Sequence, residues 1–272
     1  MIESETAHRN KWLILLAIGM GVFLATIDGG IVNIGLNTLV KDFGTPLAVT
    51  EWVVLAYMLT ISSLMLSIGR LGDMIGKKYL YIAGLAIFTV GSVLCGMSET
   101  IYWLIAFRVL QAVGASITMA LGTAMITEAF PDHQRGKALG IMGTLVSIGI
   151  IAGPTIGGLI LEHLTWHWLF FVNLPVGILG VLMVWHYVPL DRPGKKQSFD
   201  SLGAGLLFIT LSSLLLALSR IQSAGLTDPL IPGLLFLFLI GLIVFIRVEK
   251  RSAEPMIDLS MFRNRMFSVN LI

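Results

Sequence analysis

Asp28 and Arg108 are the residues whose types and places could do chemistry, because each interrupts a long apolar run. Around the acid the chain reads Leu24-Ala-Thr26-Ile-Asp28-Gly-Gly30-Ile-Val-Asn33, and around the base Arg108-Val-Leu-Gln111-Ala-Val-Gly114-Ala115. An arginine in hydrocarbon costs roughly 2.5 kcal/mol or more unless it meets water or a partner. Gln111, three residues on, falls on the same helical face and extends the polar stripe. A carboxylate and a guanidinium at matching depth can share one cavity, where the acid takes up and releases a proton as the cavity opens and closes. Asn33 adds an amide to the acid's own segment. Two plainer readings stand beside this one: Arg108 stretching to the outer interface, and Asp28 capping a helix break at Gly29 and Gly30.

The elements that hold these residues are membrane helices. Hydrophobic residues make up 56% of the 272 and charged ones 12%, well under the roughly 25% charged of soluble domains. Eight apolar segments, 12–36, 50–69, 79–97, 101–128, 136–161, 167–188, 202–219 and 230–248, each come close to the roughly 20 residues a bilayer crossing needs. The first is too long for a signal-peptide core and reads as a retained span. With a cytoplasmic amino terminus, only Lys41, Arg220 and the intramembrane Arg108 of the 18 Lys and Arg escape the cytoplasmic side, which is the positive-inside pattern.

Composition also excludes function classes. A net charge of +2 gives no footing for nucleic acid. The single Cys95 rules out a disulfide framework or a cysteine metal site. The five His lie at segment ends or in loops, so no acid/base or metal constellation marks an enzyme, and no cofactor is expected.

Two glycine-rich stretches remain. Gly69-Arg-Leu-Gly72-Asp73-Met74-Ile-Gly76-Lys77-Lys78 reads as a tight reversal between antiparallel helices, with Asp73 available to a helix amino terminus or a cation. Its spacing fails as a phosphate loop. Gly149-Ile-Ile-Ala-Gly153-Pro154-Thr-Ile-Gly157-Gly158 places glycine on one face every fourth residue, forming a groove for close helix approach, beside a proline that bends the segment.

The 69–78 turn resembles the signature loop of the major facilitator superfamily, GxLaDrxGrk, with Met74 where a basic residue is common. Arg108 to Ala115 resembles its RxxQgxGa motif. Asp28 to Asn33 resembles the first-helix motif of its drug:proton antiporters, although Gly30 replaces a threonine and Gly35, Leu36 and Asn37 replace alanine, leucine and proline. The 149–158 run resembles the antiporter motif gxxxGPxxGG, and Trp166 to Gly177 resembles WRWxFxiNxPiG with His167 in place of the arginine. Trp52-Val-Val-Leu-Ala-Tyr57-Met-Leu59, Phe199-Asp200-Ser-Leu-Gly203 and Glu254 to Asn264 are similar to marks of the fourteen-span EmrB/QacA branch.

That resemblance implies an all-α, polytopic membrane helix bundle: the amino-terminal half of a major facilitator fold plus an extra helix hairpin, truncated. Residues 1–190 would form a six-span bundle of two inverted repeats, 191–250 a linker with two additional spans, and 251–272 a cytoplasmic link entering a ninth span. The implied function is proton-coupled multidrug efflux across the inner membrane, with Asp28, Arg108, Gln111 and Asn33 in the coupling cavity. Hydrophobic, cationic or amphipathic compounds would be the substrates. The acid of the signature loop and the glycine groove would both pack on the other half of the transporter. A missing carboxy-terminal half, membrane lipid and an outer adaptor protein are the implied partners. Export of a native metabolite such as an amino acid or siderophore, and a non-transporting half that assembles with another polypeptide, are the alternatives.

Overall fold

The computed structural model describes residues 2–190, 200–225 and 228–250. Among them every regular element is a helix: α1 (Ile2–Phe43), α2 (Leu47–Thr50), α3 (Trp52–Ile75), α4 (Lys77–Gly96), α5 (Ile101–Ala129), α6 (Asp132–His163), α7 (Trp168–Phe171), α8 (Asn173–Tyr187), α9 (Ser201–Ala224) and α10 (Leu230–Glu249). Eight helical stretches among the described residues are long and apolar enough to cross a membrane, matching the segments expected from hydropathy. The chain divides into two compact units, Met1–Gly194 and Lys195–Ile272. The 191–199 stretch of the expected linker, the 251–272 link with its ninth span, Phe199 and the Glu254 to Asn264 motif lie outside the described residues.

Local chemistry explains where the helices stop. Pro175 has no N–H for the carbonyl of Phe171, four residues earlier, so the expected 167–188 span is split into α7 and α8 at Val172. Pro154 does not break α6, which continues as one helix to His163. The carbonyl that this proline leaves unbonded, that of Ile150, faces Gly30 of α1 instead: a methyl on Gly30 would lie 3.5 Å from it. α1 is likewise unbroken through Gly29 and Gly30, so Asp28 does not cap a break.

The first unit holds two apolar clusters along its length. One gathers Ile14, Ile18, Tyr81, Phe88 and Phe130 toward the Lys77 end; the other gathers Ile31, Leu39, Val53, Leu104 and Phe170 toward the Trp166 end. Asp28 sits on α1 where the first cluster, ending there at Ala25, gives way to the second, beginning at Ile27. In the second unit, Asp200 caps α9 by accepting a 2.7 Å hydrogen bond from the Gly203 N–H. A side chain on Gly203 would crowd that carboxylate at 2.7 Å, so the Asp-x-x-Gly spacing is a helix cap.

The reversal at 69–78 is tighter than a loop. α3 carries Gly69, Gly72 and Asp73 in its last turns, and Gly76 alone joins it to α4 with φ 97° and ψ 143°. Only glycine occupies that region without strain. Gly76→Ala should therefore destabilise the detergent-purified protein by about 1–3 kcal/mol, read as a lower thermal midpoint; an unchanged midpoint would mean the junction tolerates another backbone path.

Candidate functional site

Arg108, Asp28 and Gln111 come together at the middle of the first unit, all three fully buried. Arg108 Nη1 makes an ion pair with Asp28 Oδ2 and donates to Gln111 Oε1 at 2.7 Å. Its Nε donates to the Val53 carbonyl at 3.0 Å, and its guanidinium lies 3.9 Å from the centre of the Tyr57 ring. The other carboxylate oxygen, Asp28 Oδ1, accepts from Gln111 Nε2 and from Asn173 Nδ2, each at 2.9 Å. Ser92 Oγ accepts from both of those amides, at 2.7 and 3.2 Å. The knot draws on α1, α3, α4, α5 and α8 at once. Arg108 thus turns inward to a carboxylate rather than stretching to the outer interface.

Burial on this scale is tolerable only because nearly every polar atom is paired. Arg108 Nη2 is the exception within the knot, without a hydrogen-bond partner among the described residues; the guanidinium's position over the Tyr57 face compensates part of that deficit. Tyr57 is itself tied down, its hydroxyl donating to the Ala25 carbonyl at 2.9 Å. Cys95 lies buried alongside, 3.7 Å from Gln111 Oε1.

Asn33 stands apart from this group. It is exposed and lines a cleft of about 680 Å³ bounded by α1, α3, α5 and α6. Thr26, Tyr57, Met58, Met119 and Pro154 share that lining. Tyr57 therefore borders both regions: its ring lies against Arg108, and the residue is part of the cleft's lining.

The glycine groove of α6 is filled by α1 of the same unit, not left open for another half. Methyl groups on Gly153 would lie 2.9 Å from the Gly30 Cα and the Ile27 carbonyl, and on Gly157 3.0 Å from the Ile31 carbonyl. Gly149 abuts Thr26 in the same way, while Gly158 faces away with nothing within 4 Å. Gly30, the departure from the antiporter motif, is thus the complement of Gly153.

At the Lys77 end, Lys77 Nζ bridges Asp73 at 3.0 Å and Glu128 at 2.7 Å, tying the end of α3 to the end of α5. Lys78 donates to the Trp185 carbonyl at 2.9 Å and ties α4 to α8. Asp73 finds its cation one turn away, within its own unit.

Asn173 and Ser92 carry weight that sequence patterning did not assign to them. Asn173→Ala removes one of the two amide donors on Asp28 Oδ1, and a hydrogen bond to a charged group is worth about 1.5–3 kcal/mol. The thermal midpoint should fall accordingly. A double-mutant cycle with Ser92→Ala should give less than additive losses, because both serve one network; strict additivity would mean the two act independently.

A sequence profile of the Major Facilitator Superfamily matches residues 18–251. The chain is 42% identical over 270 residues to the riboflavin transporter RibZ of Clostridioides difficile (strain 630), covering 97% of this chain and 57% of that protein. It is 35% identical over 277 residues to the multidrug transporter protein MdtP of Bacillus subtilis (strain 168), covering 100% of this chain and 50% of that one. The chain spans about half the length of the curated relatives it matches. Among solved structures, the human organic anion transporter MFSD10 superposes with a TM-score of 0.55 at 15% identity, over 86% of this chain and 70% of that one. A bacterial homologue of the lysosomal transporter Spinster does so with 0.53 at 17%, over 89% and 64%. At such identities the likeness bears on fold alone. A membrane helix bundle of transporter architecture, matched by that profile over most of its length, makes this chain a member of the Major Facilitator Superfamily.

Proposed function

We propose that this chain supplies the amino-terminal bundle and extra hairpin of a proton-coupled multidrug efflux antiporter of the fourteen-span EmrB/QacA type, set in the inner membrane with its amino terminus cytoplasmic. The observation that carries this reading is the buried Asp28–Arg108 pair directly behind a largely apolar cleft. Ionised Asp28 holds Arg108, Gln111 and Asn173 on one carboxylate. A proton on that carboxylate removes the charge they converge on, loosening α1 from α5 and α8 beside the cleft. Protonation from outside and release to the cytoplasm then alternate with substrate occupancy, so inward proton flow drives export. Alternating access needs a second bundle rocking against this one; in this reading a carboxy-terminal half supplies it, with an outer adaptor protein as a further partner.

The relative named as a multidrug transporter supports the drug reading. The relative named as a riboflavin transporter favours a second one, export of a single native metabolite. Inverted membrane vesicles separate them. The chain is produced together with a carboxy-terminal bundle of a relative, a pH gradient is imposed, and lipophilic drugs and riboflavin are added singly. Drug efflux predicts that several unrelated lipophilic compounds dissipate the gradient and that Asp28→Asn abolishes this. Dissipation by riboflavin alone would establish the metabolite reading, and an unaltered response in Asp28→Asn would remove Asp28 from coupling.

A further inference from the structure

The cleft's charge inventory limits what this wall can receive. Its lining among the described residues contains no Asp, Glu, Lys, Arg or His. The carboxylate behind it, Asp28, is fully buried and has both oxygens occupied by Arg108, Gln111 and Asn173. A cation entering here sheds part of its hydration and meets no counter-ion on this wall, whereas an uncharged apolar ring pays no such desolvation.

The polar side chains that line the cleft are few: Tyr57, Thr26, Asn33 and the exposed Ser62, whose single hydroxyl can donate or accept but does not present the paired edge of an amide. Tyr57 has committed its hydroxyl hydrogen to the Ala25 carbonyl. Thr26 has committed its own to the carbonyls of its preceding turn, Phe23 at 2.9 Å and Val22 at 3.1 Å. The Asn33 amide makes no hydrogen bond among the described residues and offers a donor and an acceptor side by side. The surfaces around it suit a flat ring: the bare backbone of Gly29, which has nothing within 4 Å of where a side chain would begin, and the thioethers of Met58 and Met119, which make favourable contacts with aromatic rings. A volume of about 680 Å³ accommodates a fused three-ring system with room to reorient.

We infer that this wall selects an uncharged, planar heteroaromatic compound whose edge pairs a donor and an acceptor with the Asn33 amide. The inference rests on the cleft being the substrate path, and it replaces the cationic preference that the family resemblance implies.

Three probes of one size test it on this chain in nanodiscs of zwitterionic lipid: alloxazine, uncharged with an amide-like edge; phenazine, uncharged without an edge donor; and N-methylphenazinium, a permanent cation. Equilibrium dialysis, with retention by empty nanodiscs subtracted, should show alloxazine bound about tenfold or more tighter than the cation, roughly the effect of one net hydrogen bond together with avoided ion desolvation. Asn33→Ala should weaken alloxazine about tenfold and leave phenazine within about twofold. Ile61→Glu, which puts a carboxylate on the lining, should invert the preference toward N-methylphenazinium. Equal or tighter binding of the cation by the unmodified chain overturns the inference, and so does retention of none of the rings above empty nanodiscs. Neither measurement involves a proton gradient. A transporter that pumps without Asp28 therefore refutes the coupling alone, and a cation-preferring cleft with intact coupling refutes only the charge selectivity.

Discussion

Asp28→Ala should lower the thermal midpoint of the detergent-purified protein on the order of 10 °C, more than any other single side-chain truncation in the bundle. Removing one member of a buried ion pair costs about 3–5 kcal/mol, since the remaining charge stays desolvated and unpaired, and each kcal/mol shifts the midpoint of a domain this size by about 2–4 °C. Arg108 is fully buried, and its other contacts among the described residues are the Val53 carbonyl, Gln111 Oε1 and the Tyr57 and Phe170 rings, none of them charged. The reciprocal change, Arg108→Ala, should be milder. It leaves Asp28 with two amide donors, Gln111 and Asn173, and a carboxylate can neutralise itself with a proton whereas a guanidinium cannot. The double variant Asp28→Asn with Arg108→Gln should recover most of the lost stability while remaining unable to couple to protons. Equal midpoints for Asp28→Ala and Arg108→Ala would show that the unpaired guanidinium finds another partner, and the asymmetry argument would fall.

How this knot could be foreseen differs from residue to residue. Asp28 and Arg108 were legible because ionisable groups stand out in apolar segments and because their depths matched; Gln111 followed from the i, i+3 rule. Asn33 belongs to the same sequence motif as Asp28, yet five residues at about 100° each carry it roughly 140° around the helix, onto the cleft and away from the pair. Asn173 points at Asp28 only because α8 restarts after Val172, a consequence of Pro175 that hydropathy does not register. Ser92 carried no signal at all, since a serine in an apolar helix ordinarily satisfies itself on its own backbone. The glycine spacing in α6 announced a groove but not its occupant. The occupant was written in the departure at Gly30, where the missing threonine side chain makes room for Gly153 and Pro154, each 3.2 Å from where a methyl would sit.

Glycine position, more than glycine content, should decide a second large effect. Gly114→Ala places a methyl group 2.5 Å from the Gly84 carbonyl oxygen and 2.8 Å from the Phe88 Cα, against the backbone of α4. Backbone cannot rotate aside as a side chain can, so α4 and α5 must separate. Overpacking ordinarily costs about 1–3 kcal/mol, and this site should lie at or above the upper end. The damage should extend to the ion pair. Gln111 is three residues away on α5 and reaches Ser92 of α4 at 2.7 Å, so parting the helices pulls one support from Asp28. Gly153→Ala meets the α1 backbone at 2.9 Å and should behave similarly but less severely. Gly158→Ala is the contrast: on the same helix as Gly153, with nothing within 4 Å, it should raise stability by about 0.5–1 kcal/mol through helix propensity alone. Thermal midpoints in one detergent should therefore rank Gly158→Ala above the unmodified chain, Gly153→Ala below it and Gly114→Ala lowest. A Gly114→Ala midpoint close to that of Gly158→Ala would mean that α4 and α5 do not approach backbone to backbone, and that the polar knot is held in register by its own hydrogen bonds.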